Sequence, residues 1–319
     1  MGAQLIDGNS IRTKILGEIH LDLARLKERN GGVPGLAIIR VGDDPASSAY
    51  IRQKMLAAQA LGYNYREHRF GETASQSELI ELIGQLNRDA MVHGILVQLP
   101  LPSRLSPDGI VAAIDPDKDV DGLHPMNAGR LFQGRHGFRP CTPAGVMRLL
   151  EEIGFDLAGK KAVVVGRSNI VGKPMAMLLL AADATATICH RQSDVPFAVG
   201  QADLVVAAVG APRSIKGAWI KRGAVVIDVG INRIDGKLVG DVEFDEAYER
   251  ASYITPVPGG VGAITVAMLM YNTFMAWADG RRGDSGAEPI RLPGAGPWPA
   301  PLSPIQHSVH GRLGSGLPV

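Results

Sequence analysis

The sequence predicts an α/β protein of two domains, each built on a parallel sheet. Three observations carry that reading. Short apolar runs alternate with stretches of helical periodicity through most of the chain, the order of βα units. Most of those runs are near-continuous in Val, Ile, Leu and Ala, as strands covered on both faces are. The chain has 319 residues, about twice a typical domain.

Asn9 and Ser10 are candidate caps for a first helix whose apolar face carries Ile11, Ile15, Leu16, Ile19, Leu23 and Leu26. Leu36–Val41 reads as a strand, ended by Gly42-Asp43-Asp44-Pro45. A helix over Ser47–Leu61, a strand over Tyr63–His68 and a helix over Gln76–Arg88 follow. Gly94–Pro100 is another strand, stopped by prolines, which have no N–H to give a ladder. A second series opens with a helix from Pro143-Ala144-Gly145 to Ile153. Strands are expected at Lys161–Gly166, Ala184–Cys189, Asp203–Val209 and Ala224–Val229, and a helix over Ala263–Ala278 closes the ordered part. That helix is expected to return to the first domain. The division is then 1–140 plus 263–281 for one domain, with 141–262 inserted as the other. From Gly280 to Val319 there are 8 Gly and 7 Pro in 40 positions and no apolar period, so a disordered tail is expected over 282–319.

Composition excludes several classes of function. A net charge of +1 and 5% aromatic residues leave no electrostatic footprint for nucleic acid. Two cysteines, Cys141 and Cys189, cannot build a disulfide framework or a four-sulfur zinc site. No uninterrupted apolar run reaches the roughly 18 residues of a membrane helix, and Met1–Ser10 lacks a signal-peptide pattern. The expectation is a cytoplasmic protein without nucleic-acid or membrane partners.

Val163 to Pro174 reads as a strand, a tight turn and a helix start, with Pro174 in the first helical turn. Free N–H groups at such a start attract a pyrophosphate. Gly166 and Gly172 are six apart, so the run is not a strict G-x-G-x-x-G and an ordinary βα turn remains an alternative. The next strand sharpens the case. An NAD site places a carboxylate about 20 residues on, whereas an NADP site places arginine there. Here Cys189-His190-Arg191-Gln192-Ser193 offers arginine and no carboxylate before Asp194. Arg167 and Arg191 suit a 2′-phosphate, because guanidinium matches phosphate geometry and stays charged, so NADP is preferred.

Tyr50 and Lys54 lie four apart and share a helix face. Short-chain dehydrogenases also use Tyr-x-x-x-Lys, but after their cofactor glycines; here Lys54 precedes Gly166 by 112 positions. The apolar Met55, Leu56, Ala57 and Ala58 are expected to strip water from Lys54, lowering its proton affinity as a base requires. Gln98 is the sole polar side chain in Ile95–Pro102, at the carboxyl end of its strand, where open α/β sheets place ligands. Between Pro116 and Pro125, Asp119, Asp121 and His124 can be drawn as metal ligands, but nothing nearby completes a site. A single buried carboxylate accepting two N–H donors from a heterocycle fits better, and no metal is expected.

Taken together these segments closely resemble the bifunctional methylenetetrahydrofolate dehydrogenase/methenyltetrahydrofolate cyclohydrolase family. The resemblance rests on Ser47–Lys54, Gly94–Pro102, Lys118–Pro125, Pro140–Gly145, Gly166–Pro174, Asp228–Asn232 and Thr255–Gly262, in the family's order. It implies two α/β domains flanking a cleft, the second a Rossmann-type NADP-binding domain, and a homodimer. It implies NADP-linked oxidation of 5,10-methylene-tetrahydrofolate, then hydrolysis to 10-formyl-tetrahydrofolate, in the one-carbon metabolism that feeds purine biosynthesis. By resemblance Lys54 is the catalytic lysine, Tyr50 and Gln98 support it, and Asp121 holds the pterin. Gly166, Arg167, Ser168, Arg191 and Ile231 would line NADP, while Pro100, Pro258, Gly259 and Gly260 would border the folate. The chain departs from the family pattern in two places. Gly262-Ala263-Ile264-Thr265 stands where Gly-Pro-Met-Thr is usual, and Leu56 stands where a second lysine is common. The alternatives are a monofunctional NADP-dependent dehydrogenase, a shikimate-type dehydrogenase and a non-catalytic NADP-binding regulator.

Overall fold

A computed structural model describes residues 2–279; the expected tail at 282–319 lies outside them. The chain opens with β1 (Gln4–Leu5), α1 (Gly8–Asn30), β2 (Gly35–Val41), α2 (Pro45–Ala60), β3 (Asn64–Phe70), α3 (Gln76–Arg88) and β4 (Gly94–Val97). Two short helices, α4 (Pro107–Val111) and α5 (Pro125–Phe132), lead to α6 (Cys141–Glu152). Then come β5 (Lys161–Val165), α7 (Gly172–Ala181), β6 (Thr185–Cys189), α8 (Val195–Gln201), β7 (Leu204–Ala207) and β8 (Val225–Asp228). A hairpin of β9 (Asn232–Ile234) and β10 (Lys237–Val239), then α9 (Phe244–Arg250), β11 (Tyr253–Ile254) and α10 (Val261–Asp279) complete it.

Two parallel sheets result, as predicted. The smaller has the order β3-β2-β4, and the larger β1-β11-β8-β7-β5-β6. β1 was not foreseen: Gln4 and Leu5 pair in parallel with Tyr253 and Ile254, so the chain's first strand lies at the edge of the larger sheet. β6 corrects the expectation of double coverage. It is the other edge strand, with Thr185 and Thr187 exposed, and its alternating polar residues match that position.

Local chemistry explains the helix boundaries. Ser75 accepts from Glu78 N while the Glu78 carboxylate accepts from Ser75 N, a reciprocal cap that starts α3 where predicted. The cap of α1 corrects the sequence reading. Asp7, not Asn9 or Ser10, supplies it, accepting from Asn9 N at 2.9 Å. Gly8, the first helical residue, lies against the Gly259–Gly260 backbone, where a Cβ would overlap the Gly260 carbonyl.

α10 is long and apolar enough by average composition to cross a bilayer, although it holds no uninterrupted apolar run of that length. Thr and Asn residues interrupt its apolar letters without lowering the average below that of a span. Yet 83% of Val261–Ala278 is buried within the protein. It packs on α1, α6 and α2 and presents Phe274 and Trp277, both 0% exposed, to one core. That core joins Ile38 and Leu96 under the smaller sheet to Val164, Val206 and Ile227 of the larger.

Candidate functional site

Strand order alone marks two places for ligands. From β2 the chain runs to β3 on one side and then β4 on the other; from β5 it runs to β6 and then to β7. Each reversal leaves a crevice at the carboxyl ends of the strands. The predicted residues divide between these two crevices.

At the first, Gln98 N donates to Ile39 O (2.8 Å), so the end of β4 is pinned against β2. Gln98 Nε2 donates to Leu99 O at 2.7 Å, which turns Oε1 toward α2. There Lys54 Nζ donates to Oε1 at 2.9 Å. Burial pulls the Lys54 proton affinity below its ordinary value, opposed by the nearby Asp121 and Cys141. The burial does not come from Leu56, which is 51% exposed, because two residues along a helix point to different faces. Tyr50 is half-buried one turn away, and burial raises its hydroxyl pKa. Of the two residues expected to support Lys54, Gln98 hydrogen-bonds Nζ and Tyr50 does not among the described residues. Pro100 follows at the exposed rim.

The carboxylate-rich segment separates into distinct tasks. Asp119 is 1% exposed and accepts from Leu123 N (3.2 Å), His124 N (2.7 Å) and Asn127 Nδ2 (2.9 Å). The His124 ring caps α5 by accepting from Met126 N. Asp119 and His124 are thus committed to shaping the loop. Asp121, half-buried, is left facing Lys54 and the Cys141 thiol. Burial pushes the Cys141 thiol well above its ordinary range. Sequence reasoning passed over Cys141 as a site residue, since a lone cysteine carries no spacing signal.

At the second crevice, Gly166 N donates to Cys189 O (2.9 Å) and Ala208 N to Val165 O (2.8 Å). Gly166 has φ +130° and sits so near Ala208 O that a Cβ would overlap it. Gly172 in turn touches the Gly166 carbonyl where a Cβ would not fit. The two glycines interlock across the turn despite their unconventional spacing. Ser168 Oγ accepts from Val171 N (3.1 Å) and Gly172 N (3.4 Å), closing the loop onto the start of α7. Arg167 and Arg191 emerge on adjacent strand ends, both exposed, and neither has a hydrogen bond or ion pair among the described residues. Two free guanidinium groups beside a glycine cradle fit a phosphorylated dinucleotide.

The crevices meet through loops. Ile231 Cδ1 lies 3.0 Å from where a Cβ on Gly262 would stand, and Gly259–Gly260 rest on the start of α1. Pro258 is exposed just before them. Thr142 Oγ1 and Thr265 Oγ1 are 3.1 Å apart, joining the starts of α6 and α10. Ile264, one of the departures from the family pattern, packs directly on Gly145.

A pair of buried aspartates behind the second crevice was also missed. Asp228 accepts from Gly230 N, Asp241 N and Val242 N at 2.9–3.0 Å. Asp241 accepts from Val209 N, Gly210 N, Ala211 N and Asn232 Nδ2. Together they fix the loops after β7 and β8. Burial pushes Asp228 up to about 6. Asp241 stood outside every quoted run, and nothing local in the sequence links it to Asp228.

Comparison with known proteins agrees with this layout. The catalytic domain of the tetrahydrofolate dehydrogenase/cyclohydrolase family matches residues 6–121, and the family's NAD(P)-binding domain matches 140–281. The bifunctional protein FolD 2 of Myxococcus xanthus is 60% identical over 277 residues, 86% of this chain and 96% of that protein. The crystal structure of the bifunctional FolD methylenetetrahydrofolate dehydrogenase/cyclohydrolase of Campylobacter jejuni superposes with a TM-score of 0.85 at 46% identity, covering 87% of this chain and 99% of that one. The Trypanosoma brucei enzyme, solved with NADP cofactor and inhibitor, gives a TM-score of 0.85 at 40% identity, covering 89% and 100%. Matched over both halves and aligned across nearly the full length of these relatives, the chain belongs to the tetrahydrofolate dehydrogenase/cyclohydrolase family.

Proposed function

We propose that the chain oxidises 5,10-methylene-tetrahydrofolate with NADP and hydrolyses the resulting 5,10-methenyl-tetrahydrofolate to 10-formyl-tetrahydrofolate, both at the first crevice. The observation that carries this is the desolvated Lys54, held by Gln98 Oε1 at 2.9 Å with Asp121 beside it. NADP, when bound, supplies the acceptor for the hydride that leaves the one-carbon bridge. Gly166, Arg167, Ser168, Arg191 and Ile231 hold it.

Lys54 needs a neutral fraction to take a proton from the water that adds to the methenyl carbon, and burial shifts its equilibrium in that direction. Gln98 fixes Nζ in place through its carbonyl oxygen, which leaves the lone pair of the neutral amine to point away from Gln98. Asp121 accepts two N–H groups of the pterin and sets which ring edge faces Lys54. Tyr50, Pro100, Pro258, Gly259 and Gly260 border the folate. The monofunctional alternative is not favoured, because the relatives carry bifunctional names over their whole length.

The finer organisation belongs to the same proposal. The folate-binding domain comprises 6–140 with 263–279 and the NADP-binding domain 141–262, with a cleft between them; Gln4–Leu5, which the sequence reading put in the first domain, instead join the sheet of the second through β11. The packing of α10 on α1 and α2 supports the first grouping, and its packing on α6 seats it against the second domain as well. The protein works as a cytoplasmic homodimer without nucleic-acid or membrane partners.

Lys54→Met tests the central role. Methenyl-tetrahydrofolate hydrolysis, followed by absorbance, is expected to fall by about 10²–10⁴, the usual contribution of a positioned acid–base group. NADP affinity is expected to stay within about twofold, since the second crevice is untouched. Hydrolysis at the parent rate would rule Lys54 out.

A further inference from the structure

Asp121 sits on a loop, and a loop carboxylate orients a ligand only if its backbone is fixed. The anchoring of that loop is traceable atom by atom. On the near side, Ile95 N donates to Lys118 O (2.8 Å), tying the loop to β4. Asp119 gathers the N–H groups of Leu123 and His124 from within. The residues directly flanking Asp121 are held from elsewhere. Val120 O accepts from Asn272 Nδ2 at 2.9 Å and from Cys141 Sγ at 3.3 Å. Gly122, at φ +72°, presses on the Arg139–Pro140 peptide so closely that a Cβ would overlap it.

Asn272 makes one more bond that decides its role. The same Nδ2 donates to Arg139 O at 3.1 Å, and it lies 3.6 Å from Cys141 Sγ. It is 5% exposed, on α10 between Tyr271 and Thr273 in a largely apolar helix. A buried amide in such surroundings costs stability unless its bonds are made. Here one amide group bridges two carbonyls, one just before Asp121 and one at the approach to α6. The peptide before Asp121 and the segment behind it therefore cannot move apart while Asn272 holds both.

We infer that Asn272 is a positioning residue for folate: its amide clamps Val120 O to Arg139 O and so fixes the direction of the Asp121 carboxylate, with the Cys141 thiol as a second hold on Val120. It touches neither substrate nor cofactor. The inference rests on the reading of Asp121 as the pterin-binding carboxylate.

A double-mutant cycle separates this role from general support of the fold. The probe is 5-formyl-tetrahydrofolate, a folate that the enzyme does not turn over by the proposed chemistry, with binding measured by calorimetry on the full chain. Asn272→Leu, near in volume and without donors, is expected to weaken the folate by about 5- to 30-fold, the range of coupled neighbours. NADP affinity is expected to change less than about twofold. In an Asp121→Ala background the same substitution should add little further loss, because there is no carboxylate left to aim. Cys141→Ala, a smaller perturbation, is expected to show a weaker effect of the same pattern and serves if Asn272→Leu does not fold. Equal losses with and without Asp121, a parallel loss of NADP affinity, or parent-like folate binding in both variants would overturn the inference. Full folate affinity in Asp121→Ala alone would overturn the Asp121 assignment, and the inference with it.

Discussion

At the scale of single residues, function turns on how much water reaches Lys54. Its folded-state proton affinity lies below that of the free side chain, whose ordinary pKa is 10.5, chiefly through burial. The folded chain thus holds this proton less tightly than the unfolded chain does. Lys54 therefore costs stability below its folded pKa, and the cost is relieved as pH rises toward 10.5. The rate should follow the neutral form, so hydrolysis is expected to rise with pH along a limb whose midpoint lies below 10.5. Lys54→Arg, charged throughout, should lose that limb and about 10² or more of the rate. An unaltered profile in the arginine variant would assign the limb to another group. Much of this site was legible beforehand: Lys54 shares a helix face with Tyr50 and opens an apolar stretch, Gln98 is the sole polar side chain of its strand end, and Lys54 and Gln98 do meet. Asn272 stands out by the same token but was read as part of a core helix. What it contacts, Val120 and Arg139, lies more than 130 positions away in sequence.

Elements were readable where their signals were local. α3 has the predicted bounds because a reciprocal cap opens it and three buried apolar residues recur at helical spacing. β1 and β11 were illegible for the opposite reason. Two residues carry no periodicity, and their pairing is made by the sheet they complete. The turn between β5 and α7 falls between these cases. Its glycine spacing looked wrong for a dinucleotide site, yet geometry brings Gly172 onto the Gly166 carbonyl. Gly172→Ala should force this contact apart. It is expected to weaken NADP binding by roughly tenfold or more, in line with the 1–3 kcal/mol that overpacking costs. Folate affinity should remain close to that of the parent. Unchanged NADP titration would show that the turn yields without cost.

For the whole molecule, the decisive element is α10, which lends its apolar face to a core shared by both sheets. The two halves are therefore expected to unfold together. Phe274→Ala, at a site with 0% exposure, should lower the unfolding free energy by about 3–5 kcal/mol. Fluorescence and circular dichroism should then report one coincident transition in denaturant. Separate transitions for the two ligand-binding halves would show that the core is divided after all. The pairing of β1 with β11 joins distant parts of the chain still more directly. Gln4 lies beside Tyr253, about 250 positions later. During synthesis, at about 5–20 residues per second, the first strand made must then wait at least ten seconds or so for its partner. The larger sheet cannot close on the ribosome until Tyr253 and Ile254 have emerged, so Gln4 and Leu5 depend until then on being kept free of wrong partners.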